Sequence, residues 1–222
     1  MQNFDTPAAI VTLLAVPAGR IRLVAAERAD TTVEILPADA SKSRDVKTAE
    51  QTEVTYADGV LRIEVPKPKS GSTVGNTGSI EVTVQLPAGS RVEAEAAAAE
   101  LRAVGRLGDV AFQGAYHQIK IDQAASLNVT ATDGDIEVGR LTGSAEITTA
   151  RGDIRIAEAT GGTLALTTQK GDITVGAATG VSAVLDADTA YGRVTNSLKN
   201  DGTPGLSIRA TTAYGDIAAR SL

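Results

Sequence analysis

The sequence predicts an all-β fold, a parallel β-solenoid of about seven rungs with a period near 18 residues, preceded by a β-rich capping region. Three observations predict it: a recurring Gly-Asp-(Ile/Val) step, alternation of apolar residues on either side of that step, and a composition of small and β-branched residues. The 222 residues are 42% hydrophobic but only 3% aromatic, and none is Trp. Side chains of this size suit thin, regular layers better than a bulky core.

The second half of the chain, residues 91–222, repeats one short unit. Its clearest mark is a turn with Gly and then Asp, in positions that we name the Gly slot and the Asp slot. Two weaker units have Ala99-Glu100 and His117-Gln118 in the slots, and one unit, Gly192-Arg193, has lost the acid. Seven units at spacings of 17 to 23 residues indicate seven rungs. The complete pairs are Gly134 and Asp135, Gly152 and Asp153, Gly171 and Asp172, and Gly215 and Asp216.

Each unit carries two apolar segments, one on either side of the turn. In one unit Leu127 and Val129 precede the turn, and Ile136 and Val138 follow it. A period of two marks strands with one buried face. Two such short strands cannot fold alone, but successive units stacked ~4.8 Å apart would complete the hydrogen-bond ladder around one narrow core.

A series of antiparallel hairpins is the alternative architecture, because Asp133-Gly134 is a good hairpin turn. We favour the solenoid since the residue before the Gly slot is elsewhere Arg151, Lys170 or Tyr191, which are weaker hairpin formers. Right-handed coiling is then expected for the parallel crossovers.

The first 90 residues are rich in strand patterns but show no clear period. The candidate strands are 9–16, 20–25, 32–36, 52–57, 60–65 and 80–86, and the composition of Pro66–Ser79 is typical of a loop. We expect residues 1–90 to form a β-rich layer that caps the first rung of the repeat domain, residues 91–222. A bare terminal rung would expose unpaired backbone and apolar surface.

Composition excludes several function classes. The absence of Cys removes disulfides and thiolate chemistry, and the net charge of −6 disfavours nucleic acid as a partner. The apolar run Ala8–Val16 is too short to span a bilayer and follows no basic segment, so we interpret it as a strand. We therefore expect no membrane span and a cytoplasmic location.

Several motifs carry a resemblance to a known family. They are FDTP (Phe4–Pro7), PAGSRV (Pro87–Val92), GRLGDV (Gly105–Val110), AYGRV (Ala190–Val194) and TTAYGDI (Thr211–Ile217). Over essentially its whole length the chain resembles the bacterial β-strand-repeat proteins called "putative adhesins", or toast-rack domains, in the form found in the cytoplasm of high-GC Gram-positive bacteria. The resemblance implies an all-β repeat fold and no established catalytic residues. We also predict no cofactor. Some relatives are linked to cell-envelope stress.

The Asp slot is the first candidate for chemistry, because its carboxylates would stack from rung to rung. We interpret each Asp as an acceptor for the amides of its own turn. Calcium bridging between rungs is the alternative, although no calcium-binding repeat motif is present. We predict no metal site. His117, the single histidine, is interpreted as a turn residue.

The position before the Gly slot forms a second column. It contains the candidate binding ridge, which we define as Tyr116, Arg151, Lys170, Tyr191 and Tyr214. Tyr and Arg are enriched where interfaces concentrate binding energy. The alternative is a solvated edge, with Asp133 and Arg151 as an ion pair between rungs.

The function that these features favour is a rigid, non-enzymatic binding or scaffold module for a protein or an envelope component. The alternative is a protein that self-assembles, as a dimer or a filament, through the rung Gly205–Leu222, which shows no obvious cap. The insertion Asn196–Gly205 would then either cap this end or mark a functional face. A polysaccharide-active enzyme is disfavoured, because aromatic platforms and an acid–base constellation are missing from the pattern.

Overall fold

The computed structural model describes residues 1–66, 78–114 and 118–222. In the amino-terminal part, helix α1 (Ser43–Gln51) accompanies the strands β1 (Gln2–Asp5), β2 (Val11–Ala26), β3 (Asp30–Pro37), β4 (Glu53–Ala57), β5 (Val60–Glu64) and β6 (Ile80–Pro87). The repeat part contains β7 (Arg91–Arg106), β8 (Asp109–Gly114), β9 (Ile119–Ala124), β10 (Ser126–Thr130), β11 (Ile136–Leu141), β12 (Ala145–Arg151) and β13 (Ile154–Ala159). It continues with β14 (Gly162–Lys170), β15 (Ile173–Ala177), β16 (Ala183–Tyr191), β17 (Val194–Ser197), β18 (Leu206–Tyr214) and β19 (Ile217–Ser221).

The repeat units stack in parallel as a β-solenoid, which confirms the predicted fold class and excludes the hairpin alternative. The strands before the turn pair with one another, as β10 does with β8 and β12, and the strands after the turn pair in the same way. Register follows the predicted column: Ile136 lies between Ile119 and Ile154, and all three are completely buried. Each rung therefore contributes side chains to one continuous core.

The expectation that residues 1–90 serve only as a cap is wrong, because two further rungs lie within them. Strand β2 pairs in parallel with β7 on one side and with β5 and β6 on the other. Both β2 and β7 run through the corner as unbroken strands of 16 residues, so the complete Gly-Asp turn is missing from them. A signal was nevertheless present, since Gly19-Arg20-Ile21 repeats the pattern of Gly192-Arg193-Val194.

The cap proper is an antiparallel layer on the outermost amino-terminal rung. Strand β3 pairs antiparallel with β6 and with β1, and β4 pairs antiparallel with β5. Phe4 and Tyr56 meet over this end of the core, with ring centroids 5.4 Å apart. Helix α1 is held against the layer by Asp45, whose carboxylate accepts a hydrogen bond from the Ser79 amide at 3.0 Å.

The rungs at the carboxyl-terminal end do not stack in the order of the sequence. Strands β18 and β19 pair with β14 and β15 on one side and with β16 and β17 on the other. The expectation that Gly205–Leu222 forms the open last rung is therefore wrong: it is an inner rung, and β16 with β17 form the terminal rung. In spatial order, the apolar column after the Asp slot reads Val82, Ile21, Leu101, Ile119, Ile136, Ile154, Ile173, Ile217 and Val194.

Candidate functional site: the turn columns and the terminal rung

The Gly slot is filled by glycine because successive rungs approach one another too closely for a side chain. A Cβ atom on Gly171 would lie 2.1 Å from the carbonyl oxygen of Gly152, and one on Gly215 would lie 2.0 Å from that of Gly171. The backbone at Gly152, Gly171 and Gly215 also has φ between +128° and +154°, which other residues rarely adopt. These glycines are therefore structural, and their spacing fixes how closely the turns stack.

The Asp slot forms a ladder of hydrogen bonds between rungs. The Asp153 amide donates to Asp135 Oδ1 at 2.9 Å, and the Asp172 amide donates to Asp153 Oδ1 at 2.8 Å. The ladder continues through Asp172 to the Asp216 amide at 2.7 Å. The interpretation that each Asp accepts from its own turn is thus wrong, because the accepted amide belongs to the next rung. The carboxylates fasten rungs together rather than shaping single turns.

Arg193 shows that the ladder has a direction. Its amide donates to Asp216 Oδ1 at 2.8 Å, so the terminal rung receives the last carboxylate. No further rung follows β17 in the part of the chain that the structure describes, so a carboxylate at this position would have no amide to accept from. This accounts for the replacement of Asp by Arg in one unit.

A column of threonine hydroxyls supports the same turns and was not anticipated. Thr168 Oγ1 donates to the Gly152 carbonyl at 3.2 Å, and Thr212 Oγ1 donates to the Gly171 carbonyl at 3.1 Å. Both side chains are buried and follow one another in register. The signal was a Thr three residues before the Gly slot in four units, at positions 149, 168, 189 and 212.

The structure brings four members of the ridge into one line. In spatial order they are Arg151, Lys170, Tyr214 and Tyr191, in register in successive rungs. The two tyrosine rings stack with centroids 5.0 Å apart and an interplanar angle of 4°. Tyr191 is 68% exposed and Tyr214 is 56% exposed. At the other end of the line, Arg151 pairs with Asp133 at 2.8 Å, as the solvated-edge interpretation anticipated.

Two residues from the sequence analysis lie outside the described residues. They are Tyr116, the fifth member of the ridge, and His117, the predicted turn residue. Their roles stay predictions.

The insertion Asn196–Gly205 folds against the start of β16. The Ala183 amide donates to the Lys199 carbonyl at 2.9 Å, and the Asp201 amide donates to Ser182 Oγ at 3.1 Å. Hydrogen bonds from the Ser182 hydroxyl and the Thr203 amide lower the pKa of Asp201 below its usual value. The insertion thus covers one corner of the terminal rung, while the side chains from Val184 to Tyr191 remain half-buried or exposed.

A line of cations crosses the outer face of the strand segments that follow the turn, although the net charge of the chain is negative. Arg22 lies opposite Arg102, and Arg102 lies opposite Lys120, all in adjacent rungs. Lys120 pairs with Glu137 at 3.1 Å on the next rung. Like charges directly opposite one another destabilise a strand pair. The overall acidic composition therefore conceals a local positive stripe.

Neither a metal centre nor a membrane helix is found within the described ranges. Among residues 1–66, 78–114 and 118–222, no group of three or more His, Cys, Asp or Glu side chains is arranged to hold a metal ion. The same residues contain no helix long and apolar enough to cross a membrane.

The stacked rungs and their ladders define a parallel β-solenoid repeat protein. Residues 14–221 match the sequence profile of the Toastrack DUF4097 family, and the chain belongs to that family. No curated protein is significantly similar in sequence.

Similar solved structures come from several bacteria. One is a "putative cell adhesion protein" from Clostridium sporogenes, 16% identical, with 100% of this chain and 98% of that chain covered and a TM-score of 0.40. A "putative adhesin" from Bacteroides fragilis is 15% identical, with 98% and 95% covered and a TM-score of 0.46. A "putative lipid binding protein" from Parabacteroides distasonis is 11% identical, with 98% and 95% covered and a TM-score of 0.45. These likenesses are remote, and the family membership rests on the sequence profile.

Proposed function

We propose that the protein is a rigid, non-enzymatic module that binds a protein or an envelope component through the ridge. The observation that carries this proposal is the stacked pair Tyr191 and Tyr214, more than half exposed and in line with two cations. Exposed aromatic rings beside Arg and Lys supply both apolar contact area and charge to a partner.

Rigidity favours this use of the ridge. The rungs below the rings are fastened by the Asp ladder and by the hydroxyls of Thr168 and Thr212. Each ring also restricts the rotation of the other, because they lie parallel at 5.0 Å. Side chains that are already ordered lose less conformational entropy on binding, so more of the contact energy is available as affinity.

The proposal includes a role in cell-envelope stress and a location in the cytoplasm. The first is what the resemblance to toast-rack relatives implies, and the second rests on that resemblance and on the short apolar run Ala8–Val16, which follows no basic segment. Fractionation of the native host, with antibody detection of the protein, tests the location: recovery with the envelope after a high-salt wash would contradict it.

The test of the ridge begins with a photo-reactive phenylalanine analogue at position 191. A matched probe at Glu146, on the outer face of an inner rung, serves as control. We expect a partner that crosslinks from position 191 and not from position 146. The purified partner should then bind Tyr191→Ala/Tyr214→Ala at least tenfold more weakly than it binds the wild type. Equal affinities would refute the ridge as the binding site.

A further inference from the structure

In the part of the chain that the structure describes, the terminal rung of β16 and β17 has one edge without a strand partner. Strand β16 pairs with β18, and β17 pairs with β19, each on one side only within residues 1–66, 78–114 and 118–222. Every second peptide group of such an edge presents its N–H and C=O to solvent. An added strand would complete the ladder that stacks all the inner rungs.

The side chains that point toward the core are only partly covered at this edge. Val194 is 44% exposed, whereas Ile217, its neighbour in the column, is 1% exposed. Leu185 is half-buried, while Ile208 beside it is 1% exposed. Apolar side chains from an added strand would cover Leu185 and Val194, as the next rung does everywhere else.

The outer face of β16 is acidic. Asp186 and Asp188 alternate with the inward residues of β16, and both are exposed. Arg209 reaches Asp186 at 3.2 Å, but both side chains of that pair are about three-quarters exposed, which leaves it weak. A complementary strand therefore carries basic residues on its outer face.

A second copy of this chain fits the edge poorly. Antiparallel pairing of two β16 strands centred on Ala187 places Asp186 opposite Asp188 twice, and like charges in that position repel. Stacking onto the amino-terminal end of another copy is no better. The edge strands there, β1 and β4, carry the exposed acids Asp5 and Glu53.

We propose that the open edge of β16 and β17 binds an extended segment of another protein in which apolar and basic residues alternate. The segment adds one rung to the solenoid, and its backbone pairs with the edge. Along β16 its apolar residues cover Leu185 and its basic residues face Asp186 and Asp188, and a further apolar residue beyond the corner covers Val194. The site shares Tyr191, the last residue of β16, with the ridge. It binds through the backbone edge and the acids of β16 and does not depend on the ridge function.

The test uses two blocked nine-residue peptides, one of alternating valine and lysine and one of alternating valine and glutamate. Affinity is measured by fluorescence anisotropy, and amide hydrogen exchange locates the site. We expect the lysine peptide to bind and to protect amides of β16, which is also nine residues long. Asp186→Lys/Asp188→Lys should weaken the lysine peptide at least tenfold and make the glutamate peptide the better ligand. The milder Asp186→Asn/Asp188→Asn, which keeps the side-chain shape, should weaken the lysine peptide about threefold to fivefold.

Two controls separate this site from non-specific charge and from the ridge. Glu146→Lys changes an acid in the same column on a rung whose two edges are paired, so it should alter affinity less than twofold. Arg151→Ala/Lys170→Ala changes the part of the ridge that lies on the inner strands β12 and β14, and it should also leave the lysine peptide's affinity unaltered. Binding without protection of β16, or binding that is insensitive to the double lysine variant, overturns the proposal. So does a concentration-dependent dimer in sedimentation that protects β16, because a second copy would then be the occupant.

Discussion

Replacing Gly171 by Ala tests how the turns hold the rungs together. The new Cβ would lie 2.1 Å from the carbonyl oxygen of Gly152 and 2.5 Å from its carbonyl carbon, so the two turns must separate by more than 1 Å. That movement breaks three hydrogen bonds. They are the bond from the Thr168 hydroxyl to the Gly152 carbonyl, the bond from the Asp172 amide to the Asp153 carboxylate, and the backbone bond from the Gly152 amide to the Lys170 carbonyl. Three hydrogen bonds at about 1 kcal/mol each, and about 1–2 kcal/mol of strain at a φ of +153°, predict a loss of about 4–5 kcal/mol.

The assay is urea unfolding followed by far-ultraviolet circular dichroism, with thermal melting as a second reading. A loss of this size corresponds to a fall in Tm of roughly 8–20 °C for a chain of this length. The matched control is Gly205→Ala, because a Cβ there meets no atom within 4 Å and φ is not in the left-handed region. That variant should stay within about 0.5 kcal/mol of the wild type. A loss below about 1 kcal/mol for Gly171→Ala would show that the turns can part freely and would refute the steric account.

Three further predictions concern single side chains. Thr12 Oγ1 is buried without a hydrogen-bond partner among the described residues, so Thr12→Val should raise the free energy of unfolding by about 1 kcal/mol in the urea assay. Thr168→Val loses a hydrogen bond to a carbonyl and should lower the free energy of unfolding by about 1 kcal/mol in the same assay. Arg102→Thr removes a cation that faces cations in both neighbouring rungs, and should stabilise by about 0.5 kcal/mol at low salt and by less in ~1 M salt. The hydrogen bond from Arg28 lowers the pKa of Asp30, so an NMR titration of Asp30 should find a midpoint below the ordinary value, and Arg28→Gln should raise that midpoint. The stability that this pair contributes is fully present above the pKa of Asp30 in the unfolded chain, and it is lost as the pH falls through the lowered pKa of the folded protein.

The register of the solenoid could be read from the sequence because period and burial give the same answer. A shift of one residue in any unit would turn Ile136 or Ile154 out to solvent, so each unit has one acceptable alignment with its neighbours. The ridge followed from the same alignment, since positions in one column of the repeat lie in adjacent rungs. The hydrogen-bond partners of the Asp-slot carboxylates could not be predicted from this alignment. Alignment shows which residues share a column but not whether a carboxylate bonds within its own turn or to the next one.

The rungs of the amino-terminal part were not predicted from the sequence, because their turns lack the repeated Gly-Asp pair. Strand β2 passes the corner without a break, and Gly19 pairs with Ala99 of β7 on one side and with Ile80 of β6 on the other, so only Gly19-Arg20-Ile21 could have revealed the two rungs. A single tripeptide is a weak signal on its own. The structure supports the assignment of this tripeptide to a corner of a rung, because Arg20 occupies the Asp slot and pairs with Glu81 and Glu100 at 2.8 and 3.4 Å.

The order of the last three rungs has a physical explanation in the Asp ladder. Units 161–179, 181–198 and 205–222 share the same alternation, so hydrophobic burial alone does not decide which of them stacks on which. The ladder does decide it, because each rung from Asp135 onward that is followed by another has a carboxylate that accepts the next amide, and the outermost rung has no amide to accept from. Because β16 and β17 belong to the unit with Arg193, this unit takes the outermost place, and the last unit in the chain, β18 with β19, forms an inner rung. The inward residues agree, since Val194 and Asn196 stand where the adjoining rung of β18 and β19 has the more apolar Ile217 and Ala219, so the rung that meets solvent exposes less apolar surface.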